Sequence, residues 1–348
     1  MHSRLGHHNG VPHVLAALDK FRGTASAADA CAAVGRAARA TGWTCDEVPM
    51  SDGGEGLLEV FGGPNRSTEV TGPLGRVIAA EWRLDGSLAI LESARACGLT
   101  LAGGADGNDP VAATTAGVGE LLTAALDAGA RHVIVGLGGT ATTDGGLGAL
   151  RSGPRPARMK GVELVVACDV DTAFVDAARA FAPQKGATAL QVEFLERRLF
   201  TLLDGYRNDY GLDLTDEPGA GAAGGLAGGL MVLGGRLTPG VDAVADRVDL
   251  DDRIEAADLL VTGEGFLDAA SFAGKVVGGL VERASWSNTP VWVVVGDANA
   301  EGRAAAGACA KPPTVCSLTE AHGEDASRAA TVQHIEAEAA RFFAEFRS

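Results

Sequence analysis

The sequence predicts an α/β protein of two domains. One is a Rossmann-like domain with a parallel, doubly wound sheet, built from both chain ends. The other is an α/β domain with a mixed sheet, inserted between them. Three observations carry this. Short apolar runs alternate with helical patterns at both ends of the chain, the signature of a parallel sheet with crossover helices. The stretch 68–92 instead alternates apolar and polar residues around turn signals at Gly72-Pro73 and Asp85-Gly86, which reads as an antiparallel meander. The chain also holds 49 glycines in 348 residues, about twice the ~7% of ordinary proteins. They sit between apolar runs, as tight turns between strands and helices require.

In chain order, 14–18 is a buried strand ending at Asp19, and 26–40 is an Ala-rich helix with Ser26 as its cap. Residues 47–50 form a second strand that runs into SDGGEG. The meander follows, then a helix over 115–128 and a strand over 132–135. RSGPRPARMK (151–160) is a connector, 162–168 a strand ending in DVD, and 189–206 an amphipathic helix. Gly219–Leu233 reads as a Gly/Ala-rich helix suited to close packing. Strands at 258–262, 291–295 and 314–318 alternate with helices at 271–284 and 330–346. The expected boundaries are a disordered leader over 1–13, a first domain of 14–65 with 240–348, and an inserted domain of 66–239.

Composition narrows the function. A net charge of −16 argues against a nucleic-acid partner, because phosphate backbones need clustered Lys and Arg. A small anion needs only local positive potential. No apolar run approaches the ~18 residues of a membrane helix, and the N-terminus lacks the apolar core of a signal peptide. Six scattered cysteines without a C-x-x-C pair suit a reducing, cytoplasmic compartment. Self-association into a homo-oligomer is left open.

The stretch Arg131–Gly148 carries the most chemistry. A buried strand runs into Gly138, Gly139, Thr140, Thr142, Thr143, Asp144, Gly145 and Gly146. Glycines offer nothing to pack, and the carboxyl ends of such strands are where open α/β sheets hold ligands. The segment 136–141 fits the dinucleotide pattern G-x-G-x-x-A, yet no apolar helix follows, nor a strand with a terminal acid. The segment 219–224 fits G-x-G-x-x-G but follows no strand. Walker A, nucleophile-elbow and zinc spacings are absent.

Four more clusters end strands or flank them. Asp19, Lys20, Arg22 and Gly23 enter a helix, as an anion site or an ordinary capped turn does. Asp52, Gly53, Gly54 and Glu55 form a glycine turn with two carboxylates, suited to Mg²⁺ or a hydroxyl. Asp169 and Asp171 place two carboxylates on one strand face, with Lys185 next to Gly186 further on. Gly263, Glu264, Gly265 and Asp268 precede Gly274-Lys275. Each alone is compatible with a packing turn. Together they point to phosphate chemistry.

These pieces, in this order, resemble the type-1 glycerate kinase family from Leu15 to about Gly296. The matching stretches are ALDKFRGTASA (17–27), PMSDGGEG (49–56), GVGELLTAALDAGARHVIVGLGGTATTDGG (117–146), VACDVD (166–171), FAPQKGA (181–187), PGAGAAGGLAGG (218–229) and DLLVTGEGFLD (258–268) with GK (274–275). The resemblance implies ATP- and Mg²⁺-dependent phosphorylation of D-glycerate to 2-phosphoglycerate, with the active site in a cleft between two α/β domains. The sequence departs from the family where Arg22 replaces Lys, where Thr143 replaces Asn, in a connector after Gly148 shorter by tens of residues, and in the loop after Asp171.

Under that resemblance, Asp144 or Asp52 would orient or deprotonate the substrate hydroxyl. Lys185 and Arg22 would neutralise the transferring group or a carboxylate. Asp169 and Asp171 would hold Mg²⁺. Gly53, Gly54, Glu55, Gly138, Gly139, Thr140, Thr142, Gly221, Gly224, Gly263, Glu264, Gly265 and Lys275 would line the substrate and nucleotide sites. Rival readings are a kinase of the same family acting on another hydroxy acid or polyol, and a non-catalytic nucleotide-binding paralogue.

Overall fold

The computed structural model describes residues 10–21 and 23–346. Among these, the strands are β1 (His13–Ala16), β2 (Thr44–Glu47), β3 (Arg66–Thr71), β4 (Val77–Asp85), β5 (Leu88–Glu92), β6 (His132–Gly136), β7 (Glu163–Ala167), β8 (Arg236–Thr238), β9 (Leu259–Leu267), β10 (Val291–Ala298) and β11 (Thr314–Ser317). They form two sheets. One has the order β11-β10-β9-β1-β2, the other β3-β4-β5-β6-β7-β8. No helix among the described residues is long and apolar enough to cross a membrane.

The first sheet is parallel throughout, with Val14 opposite Cys45 and Leu15 opposite Leu260. Parallel sheets are covered on both faces, so β1 reads as an unbroken apolar run: Val14, Leu15 and Ala16 are fully buried. The helix Ala27–Ala40 begins at Ser26, whose hydroxyl accepts the Asp29 N–H. It packs its alanines with Trp43, Trp292 and Phe343 over one face of the sheet.

The second sheet is mixed. β3 and β4 pair antiparallel (Arg66 opposite Trp82), β4 and β5 close a hairpin (Asp85 opposite Leu88), and β5 to β8 run parallel. The helix Ala116–Asp127 buries Val118, Leu121, Leu122 and Ala125 against Val133, Val135, Leu164 and Val166. The helix Ala189–Tyr210 starts at a capping box of Thr188 and Gln191 and stops at Gly211 in the left-handed region.

The chain divides into two compact units, one running to Asp52 and resuming at Val244, the other spanning Gly53–Ala243. The sequence places these boundaries at 65/66 and 239/240. Residues 53–65 sit with the second unit for a physical reason. The buried Glu92 carboxylate accepts the N–H groups of Gly56 (3.0 Å) and Leu58 (2.9 Å), which caps the short helix Leu57–Val60. Residues 1–9 of the expected leader lie outside the described residues, and His13 opens β1.

Two elements differ from their sequence expectation. TGEG is not a turn. β9 continues through Thr262–Leu267, paired with β10 as far as Leu267 opposite Ala298. Gly263 is needed because a Cβ there would lie 1.8 Å from the Val294 carbonyl oxygen. The helix Ala222–Val232 is interrupted near its start, where Ala223, Gly224 and Gly225 all have positive φ.

Candidate functional site

Among the described residues, each unit carries a cavity lined by residues from strand carboxyl ends. In the parallel-sheet unit the cavity is about 480 Å³. β1 delivers Asp19 and Lys20, the segment after β2 delivers Asp52, β9 delivers Glu264 and Phe266, and β10 delivers Asp297. Their position follows from the sheet: the Asp19 N–H extends the β1–β9 ladder by donating to the Gly263 carbonyl at 2.9 Å. The Lys20 ammonium lies 3.8 Å from Asp19 Oδ1 and 3.7 Å from Asp52 Oδ1. Asp268 caps the following turn by accepting the Ser271 N–H at 3.0 Å. Lys275 stands at the start of the helix Val276–Ser287 and also lines the cavity.

Glu264 is the perturbed group here. Its Oε1 is buried without a hydrogen-bond partner among the described residues. Burial pushes its carboxyl up from 4.5 to about 7, helped by the nearby Asp19 and opposed by Ser271 and Lys275.

The mixed-sheet unit has a cavity of about 370 Å³ bordered by Gly138–Thr140, Asp169, Gln184, Lys185 and Ala222–Ala223, with Leu99, Leu137 and Phe181 as its apolar wall. Lys185 is 4% exposed. Its ammonium donates to Thr140 Oγ1 (3.2 Å) and to the Thr142 carbonyl (2.6 Å). Burial pulls its pKa down from 10.5 to about 8, against the attraction of Cys97 and Asp144. Ser93 Oγ accepts the Gly138 N–H at 3.3 Å, and the Gly139 carbonyl accepts the Leu99 N–H at 2.7 Å. The glycine turn is therefore anchored at both residues.

The structure sorts the sequence candidates. Asp52, Glu264, Gly265 and Lys275 share one cavity; Gly138, Gly139, Thr140, Asp169 and Lys185 share the other. Arg22 lies outside the described residues. Asp144 borders neither cavity. It is 1% exposed, and its two oxygens accept the Thr115 N–H and hydroxyl and the N–H groups of Gly146 and Gly148, at 2.9–3.1 Å. Asp171 is exposed and lines neither cavity. Asp169 has one oxygen on the Gly240 N–H at 2.8 Å.

Several candidate glycines serve packing. A Cβ on Gly53 would lie 2.9 Å from Ala167 and Gly240, on Gly221 2.3 Å from the Ala173 carbonyl, and on Gly224 2.0 Å from the Thr142 carbonyl. The exposed Glu55 lies beside Gly139, where a Cβ would come within 2.4 Å of its carboxylate. Gly54 approaches Gly138. Gly263 belongs to the β9 ladder, opposite Val294. Thr142 is fully buried beneath the cavity, its carbonyl holding Lys185.

The sequence reading missed Asp297, Phe266 and Arg328 as cavity residues and gave Asp19 no role. Asp19 and Asp297 had a signal, since each closes an apolar strand run as Asp52 and Asp169 do. Phe266 and Arg328 had none.

Carboxylates and cations at the ends of a covered parallel sheet, and a second α/β unit with a buried lysine, are the arrangement in which open α/β folds hold small ligands. The family model of the glycerate kinase family matches residues 14–152 and 152–345. A glycerate kinase of Bacillus subtilis is 34% identical over 331 residues, covering 84% of this chain and 86% of that protein. A glycerate 2-kinase of Escherichia coli is 36% identical over 288 residues, covering 72% and 75%. A crystal structure described as a glycerate kinase 2 of Salmonella typhimurium LT2 superposes with a TM-score of 0.84 at 29% identity, covering 97% of this chain and 98% of that one. The chain belongs to the glycerate kinase family and is a kinase. The two stretches of the family match meet at Ser152, inside the connector RSGPRPARMK (151–160).

Proposed function

We propose that this protein transfers the γ-phosphoryl group of ATP to the 2-hydroxyl of D-glycerate, giving 2-phosphoglycerate and ADP. The observation that carries the reading is the convergence of Asp19, Lys20, Asp52, Glu264, Lys275 and Asp297 on one cavity at the strand ends of the parallel sheet. Phosphoryl transfer is mostly positioning and charge neutralisation, and this set supplies fixed cations beside hard oxygen donors. The family membership and the glycerate 2-kinase of Escherichia coli among the relatives support the substrate and the position.

Mg²⁺ fits the same cavity. The ion uses one or two carboxylates together with substrate phosphates, and Asp52 and Asp297 supply them. Among the described residues no three such side chains are preassembled around one point. Asp169 is the single carboxylate of its cavity, and Asp171 lies outside both, so the metal is assigned to the parallel-sheet unit. When bound, Mg²⁺ would neutralise phosphate charge. Lys20 and Lys275 stand ready to hold phosphate oxygens, and Lys185 to hold an anion in the other unit. The six cysteines are free thiols, which suits a cytoplasmic enzyme.

The test is a coupled ADP assay with D-glycerate, ATP and Mg²⁺, with the phosphorylated hydroxyl read by ³¹P NMR. Glycerate-dependent ADP release with a 2-phosphate product is expected. Turnover of another hydroxy acid or polyol in preference to glycerate would reassign the substrate. Nucleotide binding with no ADP release for any acceptor would identify a non-catalytic paralogue.

A further inference from the structure

We infer that the two ligands are divided between the units: the cavity of the mixed-sheet unit takes the hydroxy acid, and the cavity of the parallel-sheet unit takes the metal–nucleotide. The inference rests on the kinase reading above and adds which site holds which substrate.

The mixed-sheet cavity complements a small hydroxy carboxylate. Lys185 is its lysine, and that ammonium is nearly fully buried. Its two hydrogen bonds go to neutral oxygens, Thr140 Oγ1 and the Thr142 carbonyl, and it forms no ion pair among the described residues. Asp144 attracts this buried cation from beyond ion-pair distance; a buried charge without a contacting partner is costly, and a ligand carboxylate would supply one. The same cavity holds the Asp169 carboxylate, an acceptor for a ligand hydroxyl. One cation and one hydroxyl acceptor match the carboxylate and one of the two hydroxyls of glycerate. A triphosphate would bring several negative charges to a single lysine and would face Asp169.

The parallel-sheet cavity is the larger, about 480 Å³ against about 370 Å³. It offers Lys20, Lys275 and Arg328, with carboxylates that repel a bare anion and suit one carrying a divalent cation. Phe266 borders it and is 50% exposed. A half-exposed aromatic ring beside charged groups is a stacking surface for a base, because each base has a π-face.

Calorimetric titration of the full chain tests the division, with D-glycerate and ADP titrated separately into the wild type, Lys185→Gln and Phe266→Ala. Lys185→Gln is expected to weaken D-glycerate by roughly ten- to a hundredfold, the range for a charge-assisted hydrogen bond, and to leave ADP within about threefold. Phe266→Ala is expected to weaken ADP by about tenfold, as lost base stacking does, and to leave D-glycerate unchanged. ADP binding should require Mg²⁺ and D-glycerate binding should not. The opposite pattern, with Lys185→Gln striking ADP or Phe266→Ala striking D-glycerate, overturns the division. If Lys185→Gln fails to fold, Phe266→Ala and the Mg²⁺ dependence still decide it. A wild type that binds both ligands but releases no ADP would refute the kinase reading and leave the division standing.

Discussion

Replacing Asp144 separates framing from chemistry. The family resemblance casts Asp144 or Asp52 as the group that orients or deprotonates the substrate hydroxyl, and on that reading Asp144→Asn should abolish turnover with the fold intact. The structure predicts a different outcome. The carboxylate is buried and accepts from Thr115 N–H (2.9 Å), Thr115 Oγ1 (2.9 Å), Gly146 N–H (3.0 Å) and Gly148 N–H (3.1 Å). It ties the start of the helix Ala116–Asp127 to that of Leu147–Ser152. Asp144→Ala leaves three backbone N–H groups without an acceptor, each costing about 1–3 kcal/mol when buried. With partial relaxation the loss is roughly 3–6 kcal/mol, a large share of the ~5–15 kcal/mol that holds a domain folded. At roughly 2–4 °C per kcal/mol, the melting temperature should fall by about 10 °C or more. Asp144→Asn keeps one acceptor oxygen and should lose about half as much. The assay is thermal denaturation followed by circular dichroism, beside ADP release at a temperature where each variant is folded. An Asp144→Asn protein that melts with the wild type yet turns over about a hundredfold more slowly would refute the framing argument and return Asp144 to the chemistry.

Gly224→Ala should destabilise the mixed-sheet unit by about 2 kcal/mol or more, because φ is +72° and the new Cβ would meet the Thr142 carbonyl at 2.0 Å; an unchanged denaturant midpoint would contradict it. Since the Thr142 carbonyl also holds Lys185, the same variant should weaken anion binding, read by titration. For Glu264, the folded state holds its proton up to about pH 7, while the unfolded chain releases it near 4.5. The folded state therefore binds more protons across that window, and this group's contribution to stability falls as pH rises from 4.5 to 7. Glu264→Gln should remove that slope from the melting-temperature profile, and a variant whose profile parallels the wild type would show that Glu264 is not the perturbed group.

Much of this protein was legible in its amino-acid order. The two-sheet architecture followed from apolar runs and turn signals, because strand periodicity and turn chemistry are local properties. The clustering of Gly, Asp and Lys at strand ends pointed to phosphate chemistry there, because a chain leaving a parallel sheet at its carboxyl end delivers its next residues to the ligand-binding edge. Asp52, Lys185, Glu264 and Lys275 were singled out that way, and each lines a cavity. Which polar residues are satisfied by their neighbours was not legible, because it depends on contacts between distant segments. Thr115 reaches Asp144 across 29 positions and occupies its carboxylate with hydrogen bonds. Val294 presses on Gly263 across 31 and keeps that segment in the β9 strand. Lys185 meets Thr140 across 45 and becomes a buried cation with a lowered pKa. The sequence by itself determined the elements and the kinds of chemistry available. Only the tertiary structure decided which of those groups are spent on holding the fold and which stay free for a ligand, since burial and hydrogen-bond satisfaction exist only once the segments meet.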